Sequence, residues 1–308
     1  MPKTNQPKHI LAIASTLFAG IFIAVQSRVN GGLGLALQDG VGAALYSFTS
    51  GWILLGLSLL FMPKARAGLK RIPRLLAARE LPIWMILGGA FGGYLVMTQG
   101  LVAGTLGISL FTVSVVAGQG ISAIVIDSNG LFGVEKRKLN PSRILGAIIV
   151  VLGVAMVLGE PETKTILLVL LPLSAGLGLG FQQAANGKVR ITAESAIAAT
   201  FVNFAVGTLL ILIVKIVSLP SVGLSSTYPS NWYLYIGGFV GVIFIAIQVI
   251  TVSRIGVLGL GVLLGTGQLL GSLAIDLLFP VAGNQIGVLE VAGVAAALVG
   301  ALLVNLKR

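Results

Sequence analysis

A chain of 308 residues with 56% hydrophobic residues, only 9% charged residues and a mean hydropathy of +1.03 is not a soluble globular domain, whose charged share is about 25%. Its formal charge of +11 sits in the turns between apolar runs, which excludes nucleic acid as a partner. The absence of cysteine removes disulfides, thiolate chemistry and sulfur-bound metals.

The apolar runs predict an all-α polytopic membrane protein with ten transmembrane helices, each of about 20 residues. Backbone groups in lipid must be satisfied internally, and runs of this length suit helices and not barrel strands. Residues 1–8 form a basic tail, with the single histidine, His9, just after it. Residues 10–27 are the first span, read as a retained helix because no small-residue cleavage site precedes a polar mature domain. A glycine-rich connection over 30–42 leads to span 2, at 43–62. Lys64, Arg66, Lys70, Arg71, Arg74 and Arg79 follow and predict an amphipathic interfacial segment. Spans 3 and 4 fall at 82–103 and 106–126, and a turn carrying Glu135, Lys136, Arg137, Lys138 and Arg143 leads to span 5, at 144–158. Glu160-Pro161-Glu162 marks the midpoint. Spans 6 to 10 fall at 166–185, 193–219, 232–252, 256–279 and 286–304, giving two halves, residues 1–159 and 160–308.

Charge sets the orientation. With a cytoplasmic N-terminus, the tail, the connections on that side and Lys307-Arg308 hold 17 of the 20 Lys and Arg residues, leaving Arg28, Lys164 and Lys215 opposite. Positive residues stay inside, so both termini are expected in the cytoplasm.

The second half repeats the first. Gly118-Gln119 with Asp127 returns 149 positions later as Gly267-Gln268 with Asp276, and each copy places an amide and a carboxylate eight residues apart, on one helical face. At the same offset Gly88, Gly89, Gly92, Gln99 and Gly107 match Gly237, Gly238, Gly241, Gln248 and Gly256. At an offset of 156, Gln26, Asn30-Gly31, Phe48 and Gly51 match Gln182, Asn186-Gly187, Phe204 and Gly207. An odd number of spans per half inverts the second half, which predicts two inverted five-helix repeats, a recurring architecture of secondary transporters.

Those matches nominate eight amides as solute-binding residues: Gln26, Asn30, Gln99 and Gln119 in one half, and Gln182, Asn186, Gln248 and Gln268 in the other. The competing reading is an interhelical hydrogen bond or a helix cap. Asp127 and Asp276 are candidates for ion coupling or gating, expected near opposite membrane boundaries, where an acid can also be simply hydrated or capping. Glu194 and Glu290 stand at helix starts that favour negative charge. The glycine clusters lack the Walker lysine and the strand-to-helix setting of a phosphate loop, so no cofactor is expected. With no cysteine, no histidine inside a span and no clustered metal ligands, an enzyme is not expected either.

In its topology, its Gln26-x-x-x-Asn30-Gly31 segment, its glycine-rich third and eighth spans and its paired Gln and Asp residues, the chain resembles the drug/metabolite transporter superfamily. More closely, it is similar to a bacterial inner-membrane branch of that superfamily in which five-helix proteins occur separately, in pairs or fused. The resemblance implies a multi-pass protein of the bacterial inner membrane that exports a small organic metabolite or drug-like solute by alternating access around a central cavity. A channel, a lipid-translocating protein or a structural membrane subunit is the alternative. The partners implied are the solute, membrane lipids and protons or sodium, with a homodimer left open. The chain departs from the small multidrug exporters, which use a glutamate inside the first span; residues 11–25 contain no acid.

Overall fold

The computed structural model describes residues 6–131, 136, 140–159, 162–223, 225, 228–280 and 286–305, apart from the side chains of 6–9, 127, 222, 252–254, 256–259 and 305. Glu135, Arg137, Lys138, Glu160, Pro161, Lys307, Arg308 and the side chains of His9 and Asp127 therefore lie outside the described residues. The helices are α1 (Gln6–Leu37), α2 (Gly40–Phe61), α3 (Pro63–Ala77), α4 (Ile83–Ile86), α5 (Gly88–Thr98), α6 (Gly104–Leu106), α7 (Ile108–Asn129), α8 (Pro141–Leu158), α9 (Thr163–Ala193), α10 (Ala196–Val222), α11 (Gly237–Leu278) and α12 (Val288–Asn305). A π-helical turn, Gln99–Ala103, joins α5 to α6. Among the described residues, eight stretches are long and apolar enough to cross a membrane, and Gly237–Thr251 and Val288–Val304 are shorter apolar helices. The protein is an all-α polytopic membrane protein.

Two expected connections turn out to be helix. Residues 30–37 continue α1, and residues 186–193 continue α9. Glycine weakens a helix in water, but between packed helices it lets backbones approach closely. Gly31 and Gly34 do this, lying against the backbones of Gly104 and Gly100. The real turns are tight and alike. Gln38 (φ 52°) and Glu194 (φ 53°) end α1 and α9 in left-handed backbone. The next residue caps the next helix, with Asp39 Oδ1 accepting from Gly42 N at 2.8 Å and Ser195 Oγ from Ala198 N at 3.2 Å. The basic segment after α2 is α3, whose buried side is Ala65, Gly68 and Ile72.

The 42 residues of α11 would span about 63 Å as a straight helix, twice the hydrocarbon core. Their contacts rule that out. Gln26 of α1 bonds to Gly237 O and Thr16 to Thr251, while Gly20 lies on Gly267 and Gly271 faces Ile21 and Ala24. One part of α11 thus runs antiparallel to α1 and the other parallel to it, so the chain doubles back between Thr251 and Leu260. The two arms fall in the stretches expected as spans 8 and 9. In the first half, Gly107 (φ 81°) marks the corresponding break between α6 and α7.

Glycine sets the central packing. Lipid tails are as apolar as the helices, so helices associate by close fit and not by hydrophobic drive. A Cβ at Gly20 would fall 2.8 Å from Gly267 Cα, and one at Gly176 would fall 3.0 Å from Gly118 Cα. The first contact joins α1 to α11 and the second joins α9 to α7. Similar pairs, Gly146 with Gly300 and Gly153 with Gly293, join α8 to α12, while Leu145, Ile148, Val151 and Leu152 of α8 stay exposed for lipid. Among the described residues, a Cβ at Gly120, one half-turn from Gly118, would meet nothing within 4 Å. Gly118→Leu should therefore prevent the α7–α9 contact and lower the melting temperature of the detergent-purified protein sharply. Gly120→Ala should match the wild type or gain up to about 1 kcal/mol in helix propensity.

Candidate functional site

A cavity opens at the centre of the bundle, where α1, α2, α5, α7, α9, α10 and both arms of α11 converge. Most of its lining is made of residues that correspond between the halves: Ile23 with Leu179, Gln26 with Gln182, Phe48 with Phe204, Leu95 with Phe244, Val96 with Ile245, and Gln119 with Gln268. Gly92, Gln183, Asn186, Gln248 and Leu264 complete it. The water-accessible volume is about 40 Å³, room for a few waters and far less than the several hundred Å³ of an open ligand pocket.

Close backbone contact aims the amides. Gln119 and Gln268 directly follow Gly118 and Gly267, the glycines at the helix crossings, so a side chain one residue on emerges beside the contact and into the cavity. Gln26 Nε2 donates to Gly237 O at 2.9 Å, whereas its buried Oε1 has no partner among the described residues. On the other side Gln182 Nε2 and Asn186 Nδ2 both donate to Asn203 Oδ1, at 3.0 and 2.9 Å. Asn203 corresponds to Ser47 in the first half, so sequence matching gave no reason to select it.

Six of the eight nominated amides line the cavity: Gln26, Gln119, Gln182, Asn186, Gln248 and Gln268. Asn30 and Gln99 do not. Asn30 Nδ2 donates to Gln99 Oε1 at 2.7 Å, and Gln99 Nε2 donates to Ser27 Oγ at 3.0 Å, in a fully buried network. Their counterparts behave differently, because Asn186 bonds to Asn203 and Gln248 faces the cavity. The neighbouring glycines follow suit. Gly31 lies against Gly104, whereas among the described residues a Cβ at Gly187 would meet nothing within 4 Å. Among the described residues the two ends thus differ in packing at this position.

Asp276 lies away from the cavity. It is 3% exposed, and its two oxygens accept from Ile108 N at 3.1 Å and Ser109 N at 2.6 Å. The break at Gly107 leaves the first N–H groups of α7 without helical partners, and Asp276 caps them from α11. This is the capping alternative already raised for these acids. The side chain of Asp127 lies outside the described residues.

The sequence reading did not foresee the ion pair at the Asn30 end. Lys215 Nζ lies 2.7 Å from Asp39 Oδ2 and also donates to Gly223 O at 2.9 Å, while Ser225 Oγ donates to Asp39 Oδ2 at 3.1 Å. Both charged side chains are almost fully buried. Burial pushes the Asp39 carboxyl up, but hydrogen bonds from Lys215, Gly42 N–H and Ser225 outweigh it and hold the group below the usual carboxylate range. At the Asn186 end the ion pair is Arg71 with Glu194, and both partners are exposed, where such pairs contribute little. A lysine inside an otherwise apolar run was the available signal for Asp39–Lys215, since buried membrane charges require a partner. Among the described residues, no group of three or more His, Cys, Asp or Glu could hold a metal ion.

The fold and the central amide cavity define a polytopic membrane protein with an internal polar cavity. Comparison with known families supplies the rest. The family model described as "Putative inner membrane exporter, YdcZ", a drug/metabolite transporter family, matches the chain over residues 11–156 and again over 167–303. The chain belongs to this family, in a form consistent with two fused halves, and is a membrane protein of a transporter family. No curated protein matches the sequence. A solved structure titled "Crystal structure of protein" is similar over 96% of this chain and 96% of its own, with a TM-score of 0.57 and 16% identity, a likeness of fold alone.

Removing Asp39 would leave Lys215 buried without its counter-charge, which costs about 3–5 kcal/mol for a broken buried pair. Asp39→Ala should lower the melting temperature of the purified protein well beyond Arg71→Ala. Because the carboxyl is depressed, its contribution is complete above about pH 4, the unfolded value, and is lost as pH falls through the lower folded value. The stability gap between wild type and Asp39→Asn should be full at about pH 6 and shrink below about pH 4. Equal stability of the two at neutral pH would show that the pair contributes nothing.

Proposed function

We propose that the protein is a secondary transporter that exports a small organic solute from bacterial cells by alternating access around the central cavity. It is built as two inverted five-helix halves, residues 1–159 and 160–308, with ten spans in the inner membrane and both termini in the cytoplasm. The observation that carries this reading is the unequal state of two corresponding pairs: Asn30 and Gln99 are bonded to each other, whereas Asn186 and Gln248 are not. In an inverted repeat the halves can exchange conformations, so hydrogen bonds and packing broken at one end re-form at the other and the cavity changes sides at little net cost.

Support for the two halves comes from the repeated match to one family model and from the corresponding glycine contacts, turns and cavity residues. Orientation rests on the distribution of Lys and Arg, which makes the Asn30 end the outer one. The present conformation is then closed to the outside, with Asp39–Lys215 reinforcing that closure. Gln26, Gln119, Gln182, Asn186, Gln248 and Gln268 contact the solute in this state. Asn30 and Gln99 hold the outer gate and face the solute in the opposite state. Asp276 acts on gating by fixing the start of α7 at the closed end, and Asp127 is its counterpart at the other end. Protons or sodium supply the coupling.

The full chain, purified into liposomes, should exchange an internal labelled solute for the external unlabelled one with saturation, and should show no single-channel currents. Because the chain lacks cysteine, single replacements report accessibility directly. Gln248→Cys should react with a membrane-impermeant thiol reagent from the cytoplasmic side, whereas Gln99→Cys should stay protected until a transported solute is added. Unsaturable flux with discrete currents, or equal reactivity of both positions without solute, contradicts the proposal.

A further inference from the structure

The cavity combines several carboxamides with phenylalanine, and no charged side chain is found among its described lining residues. The nearby charges are committed elsewhere, Asp276 to the N–H groups of α7 and Asp39 to Lys215. An ion entering such a site loses its hydration and gains no counter-charge, at an effective cost of several kcal/mol. An uncharged polar group pays far less when it is hydrogen-bonded.

The lining also limits the shape and hydrogen-bonding pattern of the occupant. A carboxamide offers both an acceptor and donors, so the amides of the lining, Gln119 and Gln268 among them, can pair with a group that carries a carbonyl beside an N–H. Gln26 brings a buried carbonyl oxygen that has no partner among the described residues, an acceptor whose cost is relieved by a ligand N–H. Phe48 and Phe204, with ring centroids 4.8 Å apart and planes tilted by 32°, supply a flat apolar surface, and Phe244 adds to it.

We infer that the central site takes an uncharged, planar solute bearing an adjacent carbonyl and N–H, as in aromatic carboxamides and cyclic amides, and rejects cations and anions of the same shape. The location of the site rests on the transport reading, while the solute class rests on the lining. Neutral cargo also separates binding from proton movement, because none of the described lining side chains titrates near neutral pH.

Three probes of nearly equal size and shape isolate charge: benzamide, benzoate and benzamidinium. Equilibrium binding to the detergent-purified full chain should detect benzamide, with both ions weaker by about tenfold or more, the equivalent of at least about 1.4 kcal/mol. Gln26→Met should weaken benzamide binding by a similar factor. Gln268→Glu supplies a negative charge and should reverse the preference toward benzamidinium, an outcome that loss of folding cannot imitate. The inference is overturned if either ion binds the wild type as tightly as benzamide, if benzamide does not bind, or if Gln268→Glu leaves the preference unchanged. Selective benzamide binding without flux in liposomes would sink the transport reading and leave the solute class standing. Saturable flux of a charged solute by a protein that does not bind benzamide would do the reverse.

Discussion

Two glycine crossings hold the centre of this protein together. Gly20 on Gly267 and Gly176 on Gly118 bring α1 against α11 and α9 against α7 at backbone contact. In a lipid environment, where apolar surface gains nothing by leaving its solvent, fit of this kind is a principal source of helix association. The same contacts position the chemistry. Gln119 and Gln268 stand one residue beyond the crossing glycines, so the packing that joins the helices also presents the amides to the cavity. A larger residue at a crossing would separate the helices and displace the polar groups together.

Around those crossings the two ends of the molecule are built from corresponding residues but are held together differently. At the Asn30 end, Gly31, Gly34 and Gly40 lie against Gly104 and Gly100, Asn30 binds Gln99, and Asp39 binds Lys215. At the Asn186 end the residues corresponding to Gly34, Gly40 and Gly100 are Arg190, Ala196 and Val249, whose side chains exclude an approach equally close. The closed end is thus favoured by its sequence as well as by its ion pair. The proposed alternation requires a solute whose binding offsets that preference, because a ligand shifts an equilibrium only by its differential affinity for the two states.

Much of this was legible in the sequence because matched polar residues in apolar runs are costly and stand out. Six of the eight amides chosen that way line the cavity. Phe48 and Phe204 were visible as a match but not as part of a site, since phenylalanine is ordinary in a membrane helix. Gln183 had no amide counterpart, its match being Ser27. The glycine-rich stretch after Asn30 was misjudged because glycine marks turns in water and close packing in a bundle. Asp39–Lys215 and the capping of α7 by Asp276 join residues 176 and about 168 positions apart, and no local pattern announces such pairs. The 42-residue α11 shows the converse: helical assignment alone suggests one long rod, while the two expected spans agree with its contacts.

The central claim is that corresponding surfaces at the two ends exchange open and closed states. Leu35 and Leu101 are exposed at the closed end, and their counterparts Ile191 and Ile250 are exposed at the other. Spin labels at each pair, measured by double electron–electron resonance in lipid nanodiscs, report the two ends separately. The account predicts a shorter distance for the 35–101 pair than for the 191–250 pair without solute, and opposite changes in the two when a transported solute is added. Equal distances at both ends that do not move with solute would contradict it.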